Sequence, residues 1–129
     1  HTYYLMTHAD LPGFSSEEVG LMANVARYHR RGQPTIKNKG FRILDRDQRK
    51  VVSCLSAILR IADGLDRSHF SVVKKITVEP GEPLRLHVSF RYDPELELWT
   101  TERRKGLFEE IFHCQVELNA AVATSKDAA

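Results

Sequence analysis

The sequence predicts an α+β protein, a helical first part followed by a small antiparallel β-sheet with a helix. Three observations carry that expectation. Apolar residues recur at three- and four-residue intervals through 16–30 and again through 45–66, the period of a helix with one buried stripe. A β-branched run at 72–78 is followed by strict apolar/polar alternation at 84–90, the period of a strand with one buried face. Pro80, Gly81 and Pro83 stand between the two runs and mark a turn.

Taken in order, residues 1–7 read as the end of a helix, and Leu11, Pro12 and Gly13 make the turn after it. The chain starts at His1, without Met and inside an apolar-aromatic pattern, which reads as a piece of a longer protein. Ser15 and Glu18 have the spacing of a capping box, and Val19, Met22, Ala26 and His29 continue at helical intervals. Gly32 and Pro34 stop this helix, and 32–43 is expected to be a basic loop with little hydrophobic order. Asp45 then caps a long helix whose stripe of Val51, Val52, Leu55, Ile58, Leu59, Ala62 and Leu65 should face a core. Gly64 sits where it weakens or ends that helix. Beyond it, Leu84, Leu86, Val88 and Phe90 should share the buried face of a strand, and 96–99 reads as another alternating strand. Residues 101–113 return to helical spacing, and Val116 and Leu118 suggest one more short strand. The expected units are 1–68, helical, 69–120, sheet plus helix, and a flexible tail at 121–129.

With 129 residues, 42% of them apolar, the chain can bury a core, and no apolar run is long enough to cross a bilayer or to act as a signal peptide. Cys54 and Cys114, without a CxxC pair, exclude a zinc ribbon and a disulfide-stapled scaffold, and suit a reducing cytoplasm. The net charge of +2 hides an asymmetry. Residues 27–50 carry nine Lys and Arg against Asp45 and Asp47, a local +7, which leaves −5 for the remainder. Such a block concentrates polyanions, although a solvated face would have the same composition. Arg30 and Arg31 follow His29 at a helix end, where they could grip a phosphate or simply stabilise the helix C-terminus. Asp63 follows an apolar helix face, so its burial would demand a cation or hydrogen-bond partner. No Gly-rich phosphate loop, G-x-S-x-G elbow or H-E-x-x-H motif occurs.

The order H-T-Y-Y-L, D-L-P-G-F-S-S-E-E-V, A-R-Y-H-R-R, F-R-I-L and L-R-I-A-D-G-L-D-R-S-H resembles the C-terminal part of the Ppx/GppA phosphatases. That family comprises exopolyphosphatases and guanosine pentaphosphate phosphohydrolases. The likeness continues through E-L-E-L-W and L-F-E-E-I-F to about residue 120, with 26–30 and 59–69 its most specific blocks. It implies that 1–68 is similar to an HD-domain helical module truncated at its start. Matched residue by residue, His1 corresponds to the His that opens the helix after the His-Asp pair, His29 to the later helix-end His, and Asp63 to the closing Asp. The first His and the His-Asp pair would lie upstream, so no metal is expected here. The family's hydrolysis is implied to reside in upstream actin-like domains that use a divalent metal, with magnesium expected for the parent enzyme.

The expected function is therefore an accessory, polyphosphate-binding and dimerising region of an exopolyphosphatase-like hydrolase, with no catalytic residues of its own. Its substrate would be polyphosphate or guanosine pentaphosphate. Arg27, Arg30, Arg31, Lys37, Lys39 and Arg42 are the expected contacts, with Arg46 and Arg49 next. Two alternatives are an independent HD-type metal phosphohydrolase using His1, His29 and Asp63, and a nucleic-acid-binding module. The second has only Tyr28 and Phe41 in the basic stretch as stacking aromatics.

Overall fold

The computed structural model describes residues 1–123. Helices α1 (Thr2–Thr7), α2 (Ser16–Tyr28), α3 (Lys39–Arg42) and α4 (Arg46–Leu65) precede strands β1 (Val73–Glu79) and β2 (Leu84–Phe90). Helices α5 (Glu95–Arg104) and α6 (Gly106–Phe112) and strand β3 (Val116–Val122) complete the α+β chain. It divides into two compact units, His1–Leu59 and Arg60–Ala129, so the division falls inside α4 and not at its end.

In the first unit both long helices begin as the sequence indicates. Ser15 Oγ accepts the Glu18 N–H at 3.1 Å while Ser15 N donates to Glu18 Oε1 at 3.0 Å. At α4, Asp45 Oδ1 accepts from Gln48 N at 2.8 Å and Asp45 N donates to Gln48 Oε1 at 2.9 Å, a second capping box. The segment 32–43 differs from the loop expected of it. It contains α3, and Phe41 joins Tyr28 and Val52 in a core, meeting the Tyr28 ring edge-on at 5.9 Å. Buried Asn24 holds it in place, its Nδ2 donating to Gly20 O and, across the fold, to Gly40 O at 3.1 Å. Gly40 leaves room for the Tyr3 ring, whose hydroxyl lies where a Cβ would stand, so a larger residue there would oblige Tyr3 to shift.

The α4 stripe also needs correction. Val52, Ala57, Ile61 and Leu65 are buried, but Val51, Leu55, Ile58 and Leu59 remain 39–48% exposed. Ser56 and Arg60 take buried positions instead, because the inward face of α4 is partly polar.

In the second unit the strand order is β1-β2-β3. β1 pairs antiparallel with β2, from Val73 opposite Phe90 to Glu79 opposite Arg85, across a turn with a cis Glu82–Pro83 bond. β3 pairs parallel with β2, from Leu84 opposite Val116 to Phe90 opposite Val122, so the sheet is mixed and the expected antiparallel sheet is corrected. Two helices between β2 and β3 form a connection long enough to bring the chain back to the starting end of the sheet. Leu86, Val88 and Phe90 bury the face assigned to them and pack with Ile61, Leu65, Val72 and Val116. Residues 96–99 are helical, which reverses the strand expectation. Asp93 Oδ1 accepts the Glu95 N–H at 3.0 Å, and the acidic Glu95 and Glu97 occupy the first turn of α5. The helix buries Glu97, Thr100 and Thr101 and leaves Leu96 and Trp99 outside. The expected helix at 101–113 is two helices meeting at Lys105, and His113 closes α6 in the left-handed conformation (φ 53°). The expected tail begins too early, since Ala121 and Val122 belong to β3, and 124–129 lies outside the described residues.

Candidate polyanion interface

The basic segment 27–50 lies wholly in the first unit, and its cations separate into two groups. Arg42, Arg49 and Arg27 act as pins. Arg42 Nη1 donates to the Ile36 carbonyl at 3.3 Å. Arg49 donates from Nε to Phe41 O at 3.3 Å and from Nη2 to Arg42 O, with its guanidinium 5.8 Å from the Phe41 ring centre. Arg27 stacks its guanidinium 4.2 Å from the centre of the Tyr3 ring. Arg42 and Arg49 hold the backbone of 36–42 against the start of α4, while Arg27 ties α2 to α1.

Arg30, Arg31, Lys37, Lys39, Arg46 and Lys50 are exposed. Among the described residues no carboxylate forms an ion pair with Arg31, Lys37, Lys39 or Arg46. A local charge of +7 with exposed ammonium and guanidinium heads on a pinned frame is suited to anion binding by charge neutralisation. Tyr28 and Phe41 are 2% and 7% exposed, so neither ring is offered for base stacking.

The residues of the metal alternative have other engagements. His1 carries the start of α1, its carbonyl accepting from Leu5 N at 3.1 Å. His29 Nδ1 lies 2.6 Å from Ala26 O. Asp63 has the cation its position demanded, Arg104 of α5, 2.5 Å away with both side chains about one-fifth exposed. Burial first, and the charge of Arg104 second, push the Arg60 pKa below the ordinary guanidinium value. Among the described residues, no three His, Cys, Asp or Glu side chains gather in a way that could hold a metal ion. Among the described residues, His1, His29 and Asp63 thus do not gather as the HD-type alternative requires.

Two features escaped the sequence. The exposed apolar face of α4 walls a groove of about 470 Å³ within the first unit, with Met22, Val25, Val51 and Leu55 in its lining and His29 at one wall. An all-apolar stripe gives no sign of which part lies against a core, so periodicity alone could not find it. The second feature is an open cleft of about 780 Å³ in the second unit, where Phe70, Tyr92 and Trp99 line the wall. Phe70 stands outside any apolar run, and Tyr92 continues the 84–90 alternation but lies beyond the end of β2, so alternation alone gives no sign that it lines a cleft.

A family model described as Ppx/GppA phosphatase, domain III, matches residues 1–102, which span the first unit and the second as far as α5. The chain belongs to the Ppx/GppA phosphatase family, of whose proteins it represents the C-terminal region.

Proposed function

We propose that this chain is an accessory region of an exopolyphosphatase-like hydrolase, one that holds polyphosphate or guanosine pentaphosphate on its basic segment and does not cleave it. The supporting observation is the division of labour among the cations. Arg42 and Arg49 spend their donors on backbone carbonyls, and that frame presents Arg31, Lys37, Lys39 and Arg46 to solvent. In this reading an HD-like helical ancestry accounts for the first unit, although its metal ligands serve other purposes. Upstream actin-like domains supply the phosphate cradle and the magnesium, and the parent enzyme works as a cytoplasmic homodimer. The exposed apolar face of α4 supports the dimeric part of the reading.

The test is a triple reversal of Arg31, Lys37 and Lys39 to Glu, which takes the segment from +7 to +1 and spares the pinning arginines. In fluorescence anisotropy at about 100 mM salt, polyphosphate binding should fall at least about tenfold, and its salt dependence should flatten. Reversal of Lys74 and Lys75, exposed on β1 in the other unit, is the control and should leave binding nearly unchanged. Parent-like binding by the triple variant would reduce the segment to a solvated face. The nucleic-acid reading is disfavoured by the buried Tyr28 and Phe41 rings. A single-stranded oligonucleotide should compete only in proportion to its charge.

A further inference from the structure

The open cleft of the second unit has a chemistry opposite in sign to the basic segment. Its wall carries three large aromatic side chains, Phe70, Tyr92 and Trp99, at 76%, 59% and 60% exposure, together with the carboxylates of Asp93, Glu95 and Glu97. Among the described residues, no lysine or arginine is part of its lining. Glu97 is fixed there, 1% exposed, by the Ser68 N–H at 2.7 Å. Phe70 lies between two residues in the left-handed conformation, His69 (φ 61°) and Ser71 (φ 52°). Side chains other than glycine rarely adopt that conformation, and here it accompanies an aromatic ring turned outward next to a sizeable core. The Trp99 ring also has a cation beside it, Arg103, whose guanidinium carbon is 4.8 Å from the ring centre.

We propose that this cleft binds a small organic cation of the quaternary or methylated ammonium class. Aromatic faces carry negative electrostatic potential and attract a large, weakly hydrated cation, while the carboxylates supply the opposite charge. A hydrated inorganic cation gains little from aromatic rings. An anion such as phosphate is repelled by three carboxylates, so the cleft is not a second polyphosphate site. The proposal is independent of the function assigned to the basic segment.

Trp99 is the only tryptophan of the chain and reports on the cleft directly. Choline is titrated at constant ionic strength while Trp99 emission is followed, with 3,3-dimethylbutan-1-ol as its uncharged isostere. The expected result is a saturable change with a dissociation constant on the order of 1–10 mM for choline, and at least about fivefold weaker binding of the alcohol. Tyr92→Leu and Glu95→Gln alter exposed side chains and keep the reporter; each should weaken choline binding at least about threefold with an unchanged thermal midpoint. Absence of saturation by about 50 mM choline would overturn the proposal. Equal binding of the alcohol, or parent-like affinity in both variants, would do so as well, since either outcome describes a plain apolar surface.

Discussion

Asp63 pairs with a cation that the sequence places far away, Arg104, forty-one residues on. The need for a partner was legible, because a carboxylate behind an apolar helix face cannot stay unpaired at low cost. The partner's identity was not, because nothing in local spacing links α4 to α5. Asp63→Asn leaves the Arg104 guanidinium without its counter-charge. It should lower stability by about 2 kcal/mol, below the figure for a fully buried pair because both groups keep some solvent. The urea midpoint measures it, and an unchanged midpoint would mean that water replaces the pair. Cys114 allows a second check at the same scale. Burial, then the negative charges of Glu82 and Glu109, raises its thiol pKa. In a Cys54→Ser background, alkylation of Cys114 should have a pH midpoint above that of an ordinary thiol. A midpoint at or below the ordinary value would show that neither burial nor the two carboxylates govern it.

Among the elements, caps were the most legible feature. Ser15 with Glu18 and Asp45 with Gln48 both form reciprocal pairs, since that chemistry depends only on residues three apart. Ser15→Ala should cost about 1 kcal/mol. The hydrogen bonds of Ser15, its backbone N–H first and its hydroxyl second, lower the Glu18 pKa. The stabilising contribution of that carboxylate is thus present above its unfolded value and is lost as pH falls through the lower folded one. The difference between parent and Ser15→Ala melting temperatures should accordingly shrink in acid. Helix α5 shows where periodicity misleads. Leu96 and Leu98 alternate like a strand, but the face that packs inward is polar, with Glu97, Thr100 and Thr101 at intervals of three and four. A pattern scored on apolar residues cannot see it. Gly64 belongs to the same lesson. It lies within α4, where an added Cβ would stand 2.7 Å from Thr101 Oγ1 and 3.2 Å from Thr101 Cα. Gly64→Ala ought to gain up to about 1 kcal/mol from helix propensity, but the clash should outweigh it by about 1–2 kcal/mol net. A rise in melting temperature would show that α5 yields easily.

Across the whole molecule, the pinned basic segment and the apolar face of α4 lead to separate expectations. Purified alone, the chain should release no phosphate from long-chain polyphosphate above the buffer blank with magnesium present; release at an enzyme-like rate would assign it catalysis. Val51→Lys with Leu55→Lys places two charges on side chains already 45% and 47% exposed. The pair should reduce binding of an apolar dye and shift any self-association toward monomer in sedimentation, while the thermal midpoint moves little. A large fall in that midpoint would mean the face is covered in the folded protein.

The parallel pairing of β3 with β2 has a consequence in time. During synthesis β1 and β2 emerge together and can form a hairpin within microseconds. The far side of β2 then waits without a neighbour until residues 116–122 have been added, because that side is completed only by the last strand. A nascent chain at that stage presents an open row of backbone donors and acceptors beside Leu86, Val88 and Phe90, the combination that invites pairing with another copy. The segment matched by the family model ends at residue 102, before β3. A fragment cut there should therefore collect in inclusion bodies, and one extended to residue 123 should not.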